Sequence, residues 1–266
     1  MDILQYEFFR NALAAVVLLS MASAVIGTYI VSRRLVSISG GVTHACFGGL
    51  GLGYFLGVSP VLMASLFAIA SSLGVQWMST HERVREDSAI AVIWAIGMAI
   101  GTLFIFLTPG YVPELNSFLF GNILTVTRGD LWAFLLFTIV LALFMAAKFR
   151  TIVICAFDPD FARVRRLPVT FISTVMTVLV AVCIVLTIRL VGVMLLMSML
   201  SLPQIIAEMF VRRFSSIMWL STVVSLGCSV SGLMLATVIN VPCSALIVLT
   251  MVAVYLIALI IRYLRK

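Results

Sequence analysis

The chain has 266 residues, of which 63% are hydrophobic and 10% charged, and its formal net charge is +7. A soluble domain carries about 25% charged residues, so a soluble enzyme or binding module is excluded and the apolar excess must face lipid. The basic balance does not indicate a nucleic-acid partner, because no cluster of arginines has a soluble domain around it; basic residues collect on the inner loops of membrane proteins.

Backbone groups in lipid must be hydrogen-bonded within the segment, which leaves helices or closed barrels. Barrel strands alternate apolar and polar over about ten residues, whereas this sequence has unbroken apolar runs such as 12–30 and 131–147. A helix needs about twenty residues to cross a hydrocarbon core of roughly 30 Å. The expected fold is therefore all-α: one polytopic transmembrane bundle over 1–266, with eight or nine spans. The first run lacks a basic leader, since Asp2 and Glu7 accompany Arg10, and is expected to be a retained span rather than a cleaved signal.

In chain order the predicted spans lie near 11–32, 37–57, 60–79, 89–107, 130–148, 169–188, 190–209, 216–237 and 242–261, with eight if two short ones merge. Pro60, Pro109, Pro113, Pro168 and Pro242 fall at or near the breaks, where they spare helix interiors. The stretch 117–126 is apolar but too short to cross and is expected to be re-entrant or a buried extension. Cys46, Cys155, Cys183, Cys228 and Cys243 show no metal or disulfide spacing and are expected to act as small hydrophobes. With the N-terminus outside, fourteen of the seventeen Lys and Arg fall on inner loops and the C-terminal tail, and only Arg10, Arg128 and Arg189 fall outside. That asymmetry predicts a cell-membrane (inner-membrane) protein with a cytoplasmic C-terminus.

Four features bear on function. The second span carries seven glycines, Gly40, Gly41, Gly48, Gly49, Gly51, Gly53 and Gly57. Gly49, Gly53 and Gly57 recur every four residues, so either they let helix backbones approach or they line a pathway. His44 lies within that span at membrane depth, where an ionisable group is costly. It is either a ligand for a passing metal ion or a hydrogen-bonding partner for a neighbouring helix. The longest inner loop, about 149–168, places Asp158 before Pro159, an N-cap with proline at the first helical position. Asp160 and then Arg163, Arg165 and Arg166 follow, so a short charged helix is expected there. Glu114 lies in an outer loop and Glu208 near the inner end of the seventh span. No carboxylate sits clearly at mid-membrane, which argues against a proton-coupled carrier. There is no nucleophile motif, HExxH or Walker lysine either, so no catalytic residue and no tightly bound cofactor are expected.

The stretch GTYIVSRRLVSISGGVTHACFGGLGLGYFLG resembles the ABC-transporter permeases that import zinc, manganese or iron(II). EDSAIAV, LFGNILTVTRGDL, AFDPDFARVRRLPV, LPQIIAEMF and VPCSALIVL follow in that family's order over nearly the whole chain. The resemblance implies a homodimer of permeases, two cytoplasmic ATPase subunits and an extracellular or periplasmic metal-binding protein. It also implies that the loop with Asp158, Pro159, Asp160, Arg163, Arg165 and Arg166 couples to the ATPase, and that His44 meets the metal in transit, with Glu114 a weaker outer candidate. One departure stands out: the family's aspartate four residues before the histidine is Gly40 here. An imidazole without that carboxylate favours zinc among the family's ions. The alternative is a secondary carrier or membrane scaffold for another solute.

Overall fold

The computed structural model describes residues 5–82, 84–109, 121 and 123–264. Among these, the elements are α1 (Glu7–Ser32), α2 (Val36–Leu56), α3 (Pro60–His81), α4 (Glu86–Leu107), a 3₁₀ turn (Ile123–Thr125), α5 (Arg128–Phe157), α6 (Pro159–Val164), α7 (Val169–Met199), α8 (Leu202–Phe210), α9 (Phe214–Ile239) and α10 (Cys243–Leu264). Among the described residues, seven stretches are long and apolar enough to cross a membrane: α1, α3, α4, α5, the run Val169–Phe210, α9 and α10. The all-helical expectation is met.

The chain packs as two compact units. One takes Met1–Ser32, Leu115–Ala146 and Leu186–Lys266, and the other takes Arg33–Glu114 and Ala147–Val185.

In the second unit α2 lies against both α3 and α4. It runs parallel to α4, because Gly41 meets Ile90, Gly48 meets Gly97 and Gly51 meets Gly101 in matching order. It runs antiparallel to α3, where Gly49 meets Met63 and Ala64 and Gly53 meets Pro60. Glycine costs a helix interior about 1 kcal/mol relative to alanine. Here the cost is offset by backbone contacts that no larger residue admits. Gly49 and Gly53 thus form a stripe as expected, but Gly57 does not belong to it. Gly57 is the left-handed C-cap of α2 (φ 65°), with open space around its missing Cβ.

The expected inner loop about 149–168 is corrected in its first half, since α5 continues through it to Phe157. Ile152, Cys155 and Ala156 are buried, and their three-and-four spacing gives those residues a core-facing helical stripe. The join with the preceding helix is a kink at Lys148 (φ −121°, ψ 15°). All five cysteines are buried.

In the first unit, one end is marked by ion pairs. Arg128 meets Glu7 at 2.7 Å, Arg189 meets Asp130 at 2.7 Å, and Asn11 Nδ2 donates to the Val126 carbonyl. Gly192, at that end with Gly121 against it, breaks α7 (φ 80°, ψ 173°). From there the chain descends along α1, so that by Gln204 it has reached Ser23, whose carbonyl accepts from Gln204 Nε2 at 2.9 Å. The break predicted between the sixth and seventh spans therefore lies at Gly192 rather than beside Arg189, and a second break follows at Leu200–Ser201 before α8 begins. Val169–Phe210 has 42 residues, about 63 Å of helix if it were straight. That is twice the membrane core, which a single pass cannot accommodate.

Candidate metal pathway and coupling element

His44 owes its position to the glycines around it. On α2 it falls between Gly41 and Gly48, on the face turned toward α4, where small residues bring the two backbones together. It is half-buried and lies about 12 Å along α2 from Val36 at 1.5 Å per residue. Its imidazole stacks on the Trp94 indole, with ring centroids 4.5 Å apart and planes within 2° of parallel. The other histidine, His81, ends α3 and stacks on Trp77.

Among the described residues no three His, Cys, Asp or Glu side chains come together as a metal cage. Gly40, one turn before His44, is buried and brings no donor. Glu114 lies outside the described residues. The nearest described carboxylates along α4 are Asp87, which accepts from Ser37 Oγ at 2.8 Å, and Glu86, paired loosely with Arg33 at 3.7 Å. Both belong to the end of the unit where α2 and α4 begin.

The short charged helix forms as its sequence requires. Asp158 Oδ1 accepts from the Phe161 amide at 2.9 Å, Pro159 takes the first helical position, and Asp160 pairs with Arg163 at 2.9 Å. At the other end Arg166 adopts a left-handed φ of 56°, and the Leu167 amide returns to the Ala162 carbonyl at 3.0 Å, a Schellman-type stop. Ala162 is buried, which anchors one face. Arg163, Arg165 and Arg166 are exposed, as is Val164 at 82%. Arg165 lies over the Phe161 ring at 5.1 Å. Removing the cap with Asp158→Ala should cost about 1 kcal/mol of local helix stability, and hydrogen exchange at the Phe161 and Ala162 amides will report it as faster opening.

Two side chains escaped sequence reasoning. Trp94 read as one more apolar residue of a span, and only the α2–α4 register brings it onto His44. Gln204 is fully buried, and its Nε2 joins the Ser23 and Met199 carbonyls. It occupies the space left by Gly27, where a Cβ would lie 2.6 Å from its carboxamide carbon. The Gln–Gly pairing spans 177 residues of sequence, so no local pattern announces it.

A polytopic helical protein with a glycine-packed helix, one imidazole within it and a capped basic helix on a connecting loop has the parts of a transport subunit. The chain belongs to the ABC 3 transport family, whose profile matches residues 5–262. It is similar to the "Probable metal transport system membrane protein" of Chlamydia pneumoniae, at 38% identity over 87% of this chain and 81% of that one. It is also similar to the manganese transport system membrane protein MntC of Halalkalibacterium halodurans, at 28% identity over 93% and 85%. Its fold is shared with PsaBC from Streptococcus pneumoniae, solved in complex with a Fab, with a TM-score of 0.83, 25% identity and coverage of 96% and 92%. The chain is thus an ABC-transporter permease, a transport component rather than an enzyme.

Proposed function

We propose that this permease passes a divalent transition-metal ion inward along α2, with His44 as a transient ligand, and works as a homodimer on two cytoplasmic ATPase subunits fed by an external metal-binding protein. The observation carrying the reading is a half-buried imidazole in the glycine-packed helix α2 of a chain similar to a probable metal transport system membrane protein. An ionisable side chain in a span is a functional group by default.

Nine crossings fit the chain: α1, α2, α3, α4, α5, the two limbs of Val169–Phe210 on either side of Gly192, α9 and α10. The parallel run of α2 beside α4 supports counting α2. An external N-terminus and cytoplasmic C-terminus follow from the arginines. Arg128 and Arg189, both assigned outside, lie with Glu7 at one end of the first unit.

Two observations pull the ion assignment in different directions. A relative is named for manganese, whereas a site with an imidazole and with Gly40 one turn away in place of a carboxylate suits zinc better than manganese, which prefers oxygen donors. Initial uptake rates for zinc, manganese and iron(II) at equal free concentration, in vesicles holding permease and ATPase, decide between them. A carrier or scaffold for another solute would show no ATP-dependent uptake of any of the three.

The exposed basic face of α6 is the proposed ATPase contact. Reversing Arg163, Arg165 and Arg166 to glutamate should remove the ATPase from the purified complex while the permease still inserts. Retention of the ATPase at wild-type stoichiometry would reject this contact.

A further inference from the structure

We infer that Trp94 is a positioning residue for His44, setting the plane in which the imidazole meets the ion; the inference rests on the reading of His44 as a transit ligand. A histidine that binds metal has a directional lone pair lying in its ring plane. It is usually oriented by a hydrogen bond from its second nitrogen to a carboxylate or carbonyl. No such bond from His44 is seen among the described residues, and Gly40 supplies no side chain one turn away. What fixes the ring is the indole, parallel within 2° at 4.5 Å.

The stack is held by backbone, not by side-chain chance. One turn before it Gly41 abuts Ile90, and after it Gly97 abuts Ala45 and Gly51 abuts Gly101, at separations that leave no room for a Cβ. Ile90, Trp94 and Gly97 are spaced by four and three residues along α4, and Gly41, His44 and Gly48 by three and four along α2, so each set lies on one helix face and the rings cannot slide past one another without breaking those contacts.

This geometry has a chemical consequence. The indole covers one face of the imidazole, so an ion approaches at the ring edge, alongside the Trp94 ring. A parallel stack resists tilting but permits a half-turn about the Cβ–Cγ bond, so either ring nitrogen can be offered in the same plane. A ligand oriented by stacking holds an ion less firmly than one also fixed by a hydrogen bond, which suits release.

The test uses the permease–ATPase complex in vesicles and zinc or manganese, whichever it carries. Trp94→Leu should raise the KM for uptake about tenfold or more, the usual cost of losing an orienting partner, with the maximal rate changed little. Trp94→Phe, which keeps a flat face, should restore most of the affinity. As a second readout, a variant with Trp77→Phe, Trp132→Phe and Trp219→Phe leaves Trp94 as the sole tryptophan. Cobalt(II) should quench its fluorescence, and His44→Ala should abolish that quenching. If Trp94→Leu leaves KM unchanged while His44→Ala stops uptake, the positioning role is wrong and the His44 reading survives. If Trp94→Phe is as impaired as Trp94→Leu, side-chain volume rather than a stacking face is responsible and the inference fails. If His44→Ala transports normally, the reading beneath the inference fails with it.

Discussion

His44→Ala should reduce ATP-driven metal uptake by more than about 100-fold, since even an outer partner of a metal ligand is worth 10- to 100-fold in affinity. The loss is expected without loss of the fold. His44 is half-buried, and its described ring contact is the Trp94 stack, so alanine removes a surface on Trp94 rather than a piece of closed core. Uptake into vesicles measures the effect, and the elution volume of the purified complex checks that it remains assembled. The opposite result, normal uptake, would make the imidazole a packing group for α4. His44→Gln adds a second comparison, because it keeps polar volume but replaces the nitrogen lone pair with an amide. Partial uptake in that variant would indicate an ion tolerant of oxygen donors, as manganese is.

Gly97→Leu should be severely damaging to the packing of α2 on α4. A Cβ at Gly97 would lie 2.9 Å from the Ala45 carbonyl oxygen and 3.0 Å from its Cβ, and the atoms in the way are mostly backbone. Overpacking a well-fitted core costs about 1–3 kcal/mol and occasionally more, and here neither helix can yield without losing the Gly48 and Gly51 contacts as well. The expected outcome is a large loss of folded protein after mild heating in detergent, read by fluorescence-detected size exclusion. Gly227→Ala is the control. Nothing lies within 4 Å of a Cβ there, and glycine to alanine in a helix interior is favourable by roughly 0.5–1 kcal/mol. Equal heat sensitivity in the two variants would show that close α2–α4 approach does not stabilise this unit.

The short helix α6 was legible to the residue, because caps are local. Asp158, Pro159 and the Asp160–Arg163 pair interact within one turn, so their spacing in sequence is their spacing in space. Helix ends were less legible where hydrophobicity continued past them, as in α5 beyond Lys148, where a buried stripe extends the helix into a stretch rich in charge at its margins. The C-terminal Gly57 looked like a fourth-residue repeat, yet its left-handed φ is a cap and not a packing feature.

What the sequence determined by itself was the solvent and the secondary structure. Few charges and long apolar runs allow only lipid-facing helices. What only the tertiary structure decided was which residues meet. The partnership of His44 with Trp94 spans 50 residues of sequence, and that of Gln204 with Gly27 and Ser23 still more. Both depend on how one helix sits against another, which the glycine spacing within a single helix does not specify. The break in Val169–Phe210 was legible only roughly: Arg189 marked it in the sequence, and the backbone of Gly192 (φ 80°) places it three residues later.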